Sequence, residues 1–216
     1  MSSTVPHARK TPLPVKIAFT AFMAVLIPVY WTHYGPSNFL YFCDLALLFT
    51  LAGIWTDSAL LVSIPAVGIL APQILWVVDF ALNLIGIRLT GMTDYMFDAS
   101  SPLFLRALSF FHGWLPFLLF YLVSRLGYDR RALFAWSGVA WAAMLIAFFF
   151  LPPSGPHVGL TPVNVDYVFG PSDSAPQHWM PAWAWLALLM AAMPTLLCAP
   201  VHLVLLRLQA ARRNGD

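Results

Sequence analysis

The chain contains no glutamate; all nine of its acids are aspartate. Charged residues of every kind make up 9% of its 216 residues, where a soluble domain carries about 25%. So little charge cannot cover a water-facing surface, which excludes a soluble globular domain. Two cysteines are too few for a disulfide framework. No Gly-rich phosphate loop, dinucleotide fingerprint or His-x-x-x-His pair occurs, so no cofactor is expected and no metal site is assigned. No internal repeat of the kind that marks many transporters is visible. The net charge of +2 points to no nucleic acid, because the basic residues sit at the ends of apolar stretches.

What is abundant is apolar: 60% of the residues are hydrophobic. A membrane-spanning helix needs about 20 mostly apolar residues. Six stretches qualify, at 14–33, 38–55, 58–86, 102–126, 130–152 and 180–208. The second is slightly short, and the third and sixth are long enough to tilt or kink. Pro28, Pro65, Pro72, Pro116, Pro194 and Pro200 lie inside them. Intramembrane prolines are tolerated where neighbours satisfy the freed carbonyls, so kinks are expected. The sequence thus predicts an all-α polytopic membrane protein. It is a six-helix transmembrane bundle over 14–208, with tails at 1–13 and 209–216 and a long outer loop between the fifth and sixth helices. No small-residue cleavage site follows a short apolar core near the start, so an uncleaved first helix is expected.

Orientation follows from lysine and arginine. Arg9, Lys10, Lys16, Arg125, Arg130, Arg131, Arg207, Arg212 and Arg213 fall on one side, and only Arg88 and Arg106 on the other. That bias predicts both termini in the cytoplasm. The outer connections are the longer ones, 87–101 and 153–179. Loops of that length in a compact bundle are usually functional or disordered. The second keeps Val163, Val165, Tyr167, Val168 and Phe169, and is expected to fold back over the outer mouth.

The chain is organised around Cys43 and Asp44, side by side in an apolar span. An intramembrane carboxylate is expensive and needs a partner. The helical rise puts Cys43 about 8 Å, Asp79 about 10 Å, Arg106 about 6 Å and His112 about 15 Å below the outer surface. Asn83 follows Asp79 on the same face. Three helices therefore place ionisable groups at matching depth.

A histidine between a thiol and a carboxylate suits nucleophilic acyl transfer. Cys43 is then the nucleophile, His112 the base, and Asp44 or Asp79 the group that orients it. Arg106 binds a phosphate or carboxylate head group, with Asn83 and Asn164 beside the substrate. The depth matches a lipid ester bond. Simpler readings stand next to this one. Asp79 and Arg106 form a structural ion pair, His112 satisfies a carbonyl freed by Pro116, and Cys43 is a small buried apolar residue. Asp44 points about 100° away from Cys43 around the helix, so it suits pairing with Arg106 or His112. Asp94, Asp98, Asn164 and Asp166 read as loop and capping residues. Cys198 lies about 27 Å below the outer end of its span, so the two cysteines are expected to be free.

The run Cys43-Asp44-Leu45-Ala46-Leu47, the single His112 in the fourth helix and the later Asn164-Val165-Asp166-Tyr167-Val168-Phe169 resemble the order of motifs in YwaF-like bacterial membrane proteins. Those in turn resemble animal six-helix lipid enzymes, among them a phospholipid acyltransferase with a cysteine nucleophile and the androgen-induced-type hydrolases. The resemblance spans roughly 38 to 170. It implies Cys43 and His112 as nucleophile and base, and a bacterial inner membrane as the setting. Asp79, Arg106 and the run 93–98 are not shared features, and the asparagine motif falls here in an outer loop. Three functions are carried forward. The first is a lipid-directed acyl hydrolase or acyltransferase with membrane lipids as its partners. The second is a non-enzymatic binding or assembly protein that meets a protein partner at the outer loops. The third is a small transporter with a proton relay through Asp44, Asp79 and His112.

Overall fold

A computed structural model describes residues 10–156, 159 and 161–215; Arg9 and most of the expected N-terminal tail lie outside them. Its long elements are α1 (Leu13–Tyr34), α2 (Phe42–Thr56), α3 (Ala59–Leu84), α4 (Leu103–Ser109), α5 (Phe111–Leu126), α6 (Ala132–Phe150), α7 (Ala182–Ala192) and α8 (Ala199–Gly215). No strand forms among the described residues. The protein is an all-α polytopic membrane bundle. Five helical stretches are long and apolar enough to cross a membrane, with α4–α5 and α7–α8 each counting as one, and α2 is a shorter apolar helix.

The helix boundaries follow local chemistry. Pro14 presets the first turn of α1, and Gly35, at a φ of 78°, ends it. α2 ends on Asp57 in the left-handed region. That conformation costs a non-glycine residue about 1 kcal/mol. It is held there because Asp57 accepts from Thr11 N–H at 2.8 Å and from the Lys16 ammonium at 3.0 Å. Ser58 then caps α3 by accepting from Leu61 N–H.

α3 is the axle of the bundle. Of its apolar window 61% is buried, against 17–33% for the other four spans, and it packs against α2, α5, α6 and the last helix. Gly68 allows one of these approaches, because a Cβ there would sit 2.0 Å from the ring of the fully buried Trp136. The opposite faces carry the lipid contact. Phe134 and Phe150 are each 80% exposed, a cost that only a hydrocarbon surrounding removes. α1 joins through an aromatic seam, with Phe22 edge-on to Trp114 of α5 at 5.0 Å.

Two of the proline expectations resolve in instructive ways. At Pro194 the last span widens to a π turn over Met193–Cys198, so the missing N–H is absorbed by a bulge. The fourth span breaks at Phe110, between α4 and α5, ahead of Pro116.

The two ends of the bundle are tied differently. At the end carrying both termini, Arg125 Nε–H donates to the Lys10 carbonyl, Arg212 to the Ser124 carbonyl, and Asp129 N–H to Ser63 Oγ. At the other end the loop 161–181 folds inward, as its apolar residues lead one to expect. Val165 and Val168 are completely buried, and Trp185 donates to the Tyr167 carbonyl at 2.7 Å.

Candidate functional site at the sunken end of α2

α2 has 15 residues and is therefore about 22 Å long, against a hydrocarbon core of about 30 Å. Its partner α3 has 26 residues. With one end of α2 fixed at the short turn 57–58, its amino-terminal end stops short of the far surface, inside the bundle. A 3₁₀ turn, Pro36–Leu40, covers the remaining distance. Irregular backbone at such depth occurs where it lines a protein-enclosed site, and broken helices are a recurrent way to aim a helix end at a ligand.

This helix end lacks a cap of its own. Tyr41 stands at the N-cap and offers no side-chain acceptor. The acceptor comes from 124 residues away: Asp166 Oδ1 takes the Phe42 N–H at 3.1 Å. To reach it the loop adopts three left-handed conformations, at Asn164, Asp166 and Tyr167, with φ of 49°, 55° and 61°. Each costs about 1–2 kcal/mol for a non-glycine residue. Asn164 holds the bend: its Nδ2 donates to the carbonyls of Gly170 and Ser172, and its Oδ1 accepts from Phe169 N–H. Burial pushes the Asp166 carboxyl well above the usual carboxylate range, with the Phe42 amide partly offsetting it.

Asp44 lies in the first turn of the same helix and is 2% exposed. Asn38 Nδ2 donates to its Oδ2 at 2.7 Å. Its Oδ1 has no partner, and neither does Oδ2 of Asp166. Cys43 immediately precedes Asp44 in sequence and is a free thiol, as is Cys198.

His112 belongs to the break between α4 and α5. Gly113 N–H turns to the Phe110 carbonyl, which frees the Ser109 carbonyl, and His112 Nδ1–H donates to that oxygen at 2.7 Å. The carbonyl it satisfies is therefore Ser109, at the break, and the one freed by Pro116 lies elsewhere. The bond fixes the tautomer, with the lone pair on Nε2. Phe111 and Trp76 stack on the ring at 4.1 and 5.5 Å. Ser109 Oγ in turn shares a hydrogen bond with Tyr30 at 2.8 Å.

The residues expected to share one constellation divide into two groups. Asp79 and Asn83 serve the loop after α3. Asp79 accepts from the N–H and hydroxyl of both Thr90 and Thr93, at 2.6–3.1 Å. It is not paired with Arg106, because four closer donors saturate both its oxygens. Asn83 Nδ2 donates to Asp94 and Thr93, and Asp94 pairs with Arg88. Arg106 donates to the Met96 carbonyl at 3.0 Å and has a buried Nε without a partner. Asp44 pairs with Asn38 rather than Arg106 or His112, and no hydrogen bond joins Cys43 to His112 among the described residues. No group of three or more metal-ligating side chains occurs among them either.

Sequence reasoning missed Asn38 and gave Asp166 only a capping role, without its helix. The available signal was the start of α2, which has no Ser, Thr, Asp or Asn where a cap belongs. Such a helix, sunk in a membrane, must be capped from elsewhere. Comparisons of the chain with family models, with curated proteins and with solved structures return no match.

Proposed function

We propose that this protein binds a polar group presented from the membrane, and that Asp44 at the sunken end of α2 engages it. The observation that carries this reading is the unpartnered Oδ1 of Asp44, an acceptor with almost no solvent contact. A buried polar atom without a partner costs about 1–3 kcal/mol. Pairing it with a ligand removes that cost. The free oxygen of Asp44 suits a hydrogen-bond donor: an ammonium, a hydroxyl or an amide N–H. The test compares the lipids and small molecules that co-purify with the parent and with Asp44→Asn, by mass spectrometry in mild detergent. Selective loss of one donor-bearing species, with helicity unchanged, supports the reading. An identical complement in both proteins refutes it.

A second reading is favoured by the fixed tautomer of His112 and by the free thiol beside Asp44. Here the protein is a lipid-directed acyl hydrolase or acyltransferase, as the resemblance to YwaF-like proteins implies. His112 Nε2 accepts the Cys43 proton, the sulfur attacks the ester carbonyl carbon, and the departing alcohol takes the proton. Water or a second alcohol then releases the acyl group from sulfur. In this reading Arg106, with its free Nε, is the substrate-side residue, while Asn83 and Asn164 hold the loops around it. A thiol-reactive acyl probe should label Cys43 and spare Cys198, and His112→Ala should abolish the labelling. Equal, slow labelling of parent and variant removes this reading. The lysine and arginine bias supports a cytoplasmic position for both termini, in a bacterial inner membrane.

A further inference from the structure

The end of the bundle opposite Asp44 holds a cleft of about 280 Å³. It lies where the α5–α6 turn meets the start of α3 and the middle of α8, and is lined among others by Gly127, Tyr128, Asp129, Arg130, Leu206 and Gln209. These are span ends, so the cleft opens at the boundary between hydrocarbon and water.

Its charges do not cancel. Arg131 grips Asp129 with its Nε and Nη2, at 2.7–3.2 Å, and that guanidinium holds the Asp129 carboxyl below the usual range. The one acid in the lining is thereby neutralised. Arg130 beside it is exposed and has no hydrogen-bond or carboxylate partner among the described residues. His202 is occupied by the Tyr128 hydroxyl at 2.7 Å, and Arg207 follows Leu206 on α8. Gly127, at a φ of 93°, keeps the floor low, with Gln209 Nε2 standing 3.6 Å from where its Cβ would be. A free guanidinium and an amide N–H therefore share a small polar cleft with an apolar wall.

We infer that this cleft binds a phosphate-bearing anion, carried by a membrane lipid, with Arg130 as the charge and Gln209 as the second donor. Basic clefts between helices at this level are suited to anionic head groups. The cleft's volume fits a head group rather than a whole lipid, whose chains lie along the exposed flank of α8.

The test measures thermal unfolding of the full chain in neutral detergent, titrated with phosphatidylglycerol, phosphatidylcholine or inorganic phosphate. The parent should be stabilised by phosphatidylglycerol and not by phosphatidylcholine. Arg130→Gln should weaken the apparent affinity about fivefold, and Arg130→Gln with Gln209→Leu should weaken it further. Arg88→Gln, at the other end, should leave it unchanged. Both cleft variants should unfold like the parent without lipid, since neither side chain makes a hydrogen bond among the described residues. Protection by inorganic phosphate as well supports the site and makes free phosphate a source. Equal protection by phosphatidylcholine, or full protection in the double variant, overturns the inference.

Discussion

Asp79 and Asp44 are buried alike, at 1% and 2% exposure, and they are treated in opposite ways. Asp79 receives four hydrogen bonds, two to each oxygen, from Thr90 and Thr93. Asp44 receives one, from Asn38, and keeps an oxygen free. The first carboxylate is complete, and its work is to lock the loop 87–101 onto α3. The second is incomplete at a helix end sunk in the bundle, held there by a strained loop. Burial alone therefore does not separate the two acids; the unmade bond does.

Substitutions at the two carboxylates should act in different ways. The largest effect belongs to Asp79→Asn, whose amide presents N–H groups to N–H and O–H donors. It should cost about 3–5 kcal/mol, as breaking a buried charged network does, and raise proteolysis of 87–101. Reversible unfolding in detergent and limited proteolysis measure both. Next is Asp166→Ala, which uncaps α2 and should cost about 1 kcal/mol, read by the same unfolding experiment. Asp44→Asn should cost less than about 1 kcal/mol, because only the one bond from Asn38 is at stake, yet it should abolish ligand retention.

The smallest effect is on pH dependence, and it has opposite signs at the two ends. Partial burial raises Asp57, but the Thr11 amide and Lys16 outweigh it and leave its carboxyl below the usual range. Its contribution to stability is therefore present above about pH 4 and lost as the pH falls through its lowered value. Asp166, raised by burial, contributes fully below about pH 4 and loses that contribution as the pH climbs through its raised value. Unfolding of Asp57→Asn and Asp166→Asn across pH should flatten the acid limb in the first and the rising-pH limb in the second.

Much of the fold was legible. Apolar runs bounded by Gly35, Asp57 and Gly127 mark span ends, and the sequence already showed the second span to be short. Loop inversion was legible in Val165 and Val168, too apolar for a solvated loop. The site was legible only as residue types. Rise per residue put Asp79 and Asp44 at similar depth, but it cannot show that Thr90 and Thr93 fold back to saturate one and leave the other open. The Asp166 contact spans 124 residues and depends on left-handed turns that no periodicity announces. The break at Phe110 was hidden because Pro116 offered a more obvious kink.

The most direct test is carboxyl labelling of native membranes with a hydrophobic carbodiimide, followed by peptide mass spectrometry at Asp44 and Asp79. The reagent partitions into apolar surroundings and needs a carboxyl oxygen free of hydrogen-bond donors, which Asp44 keeps and Asp79 lacks. Modification at Asp44 with Asp79 untouched is the predicted result. Modification of Asp79 in preference to Asp44, or of both equally, would contradict the distinction between the finished and the unfinished acid.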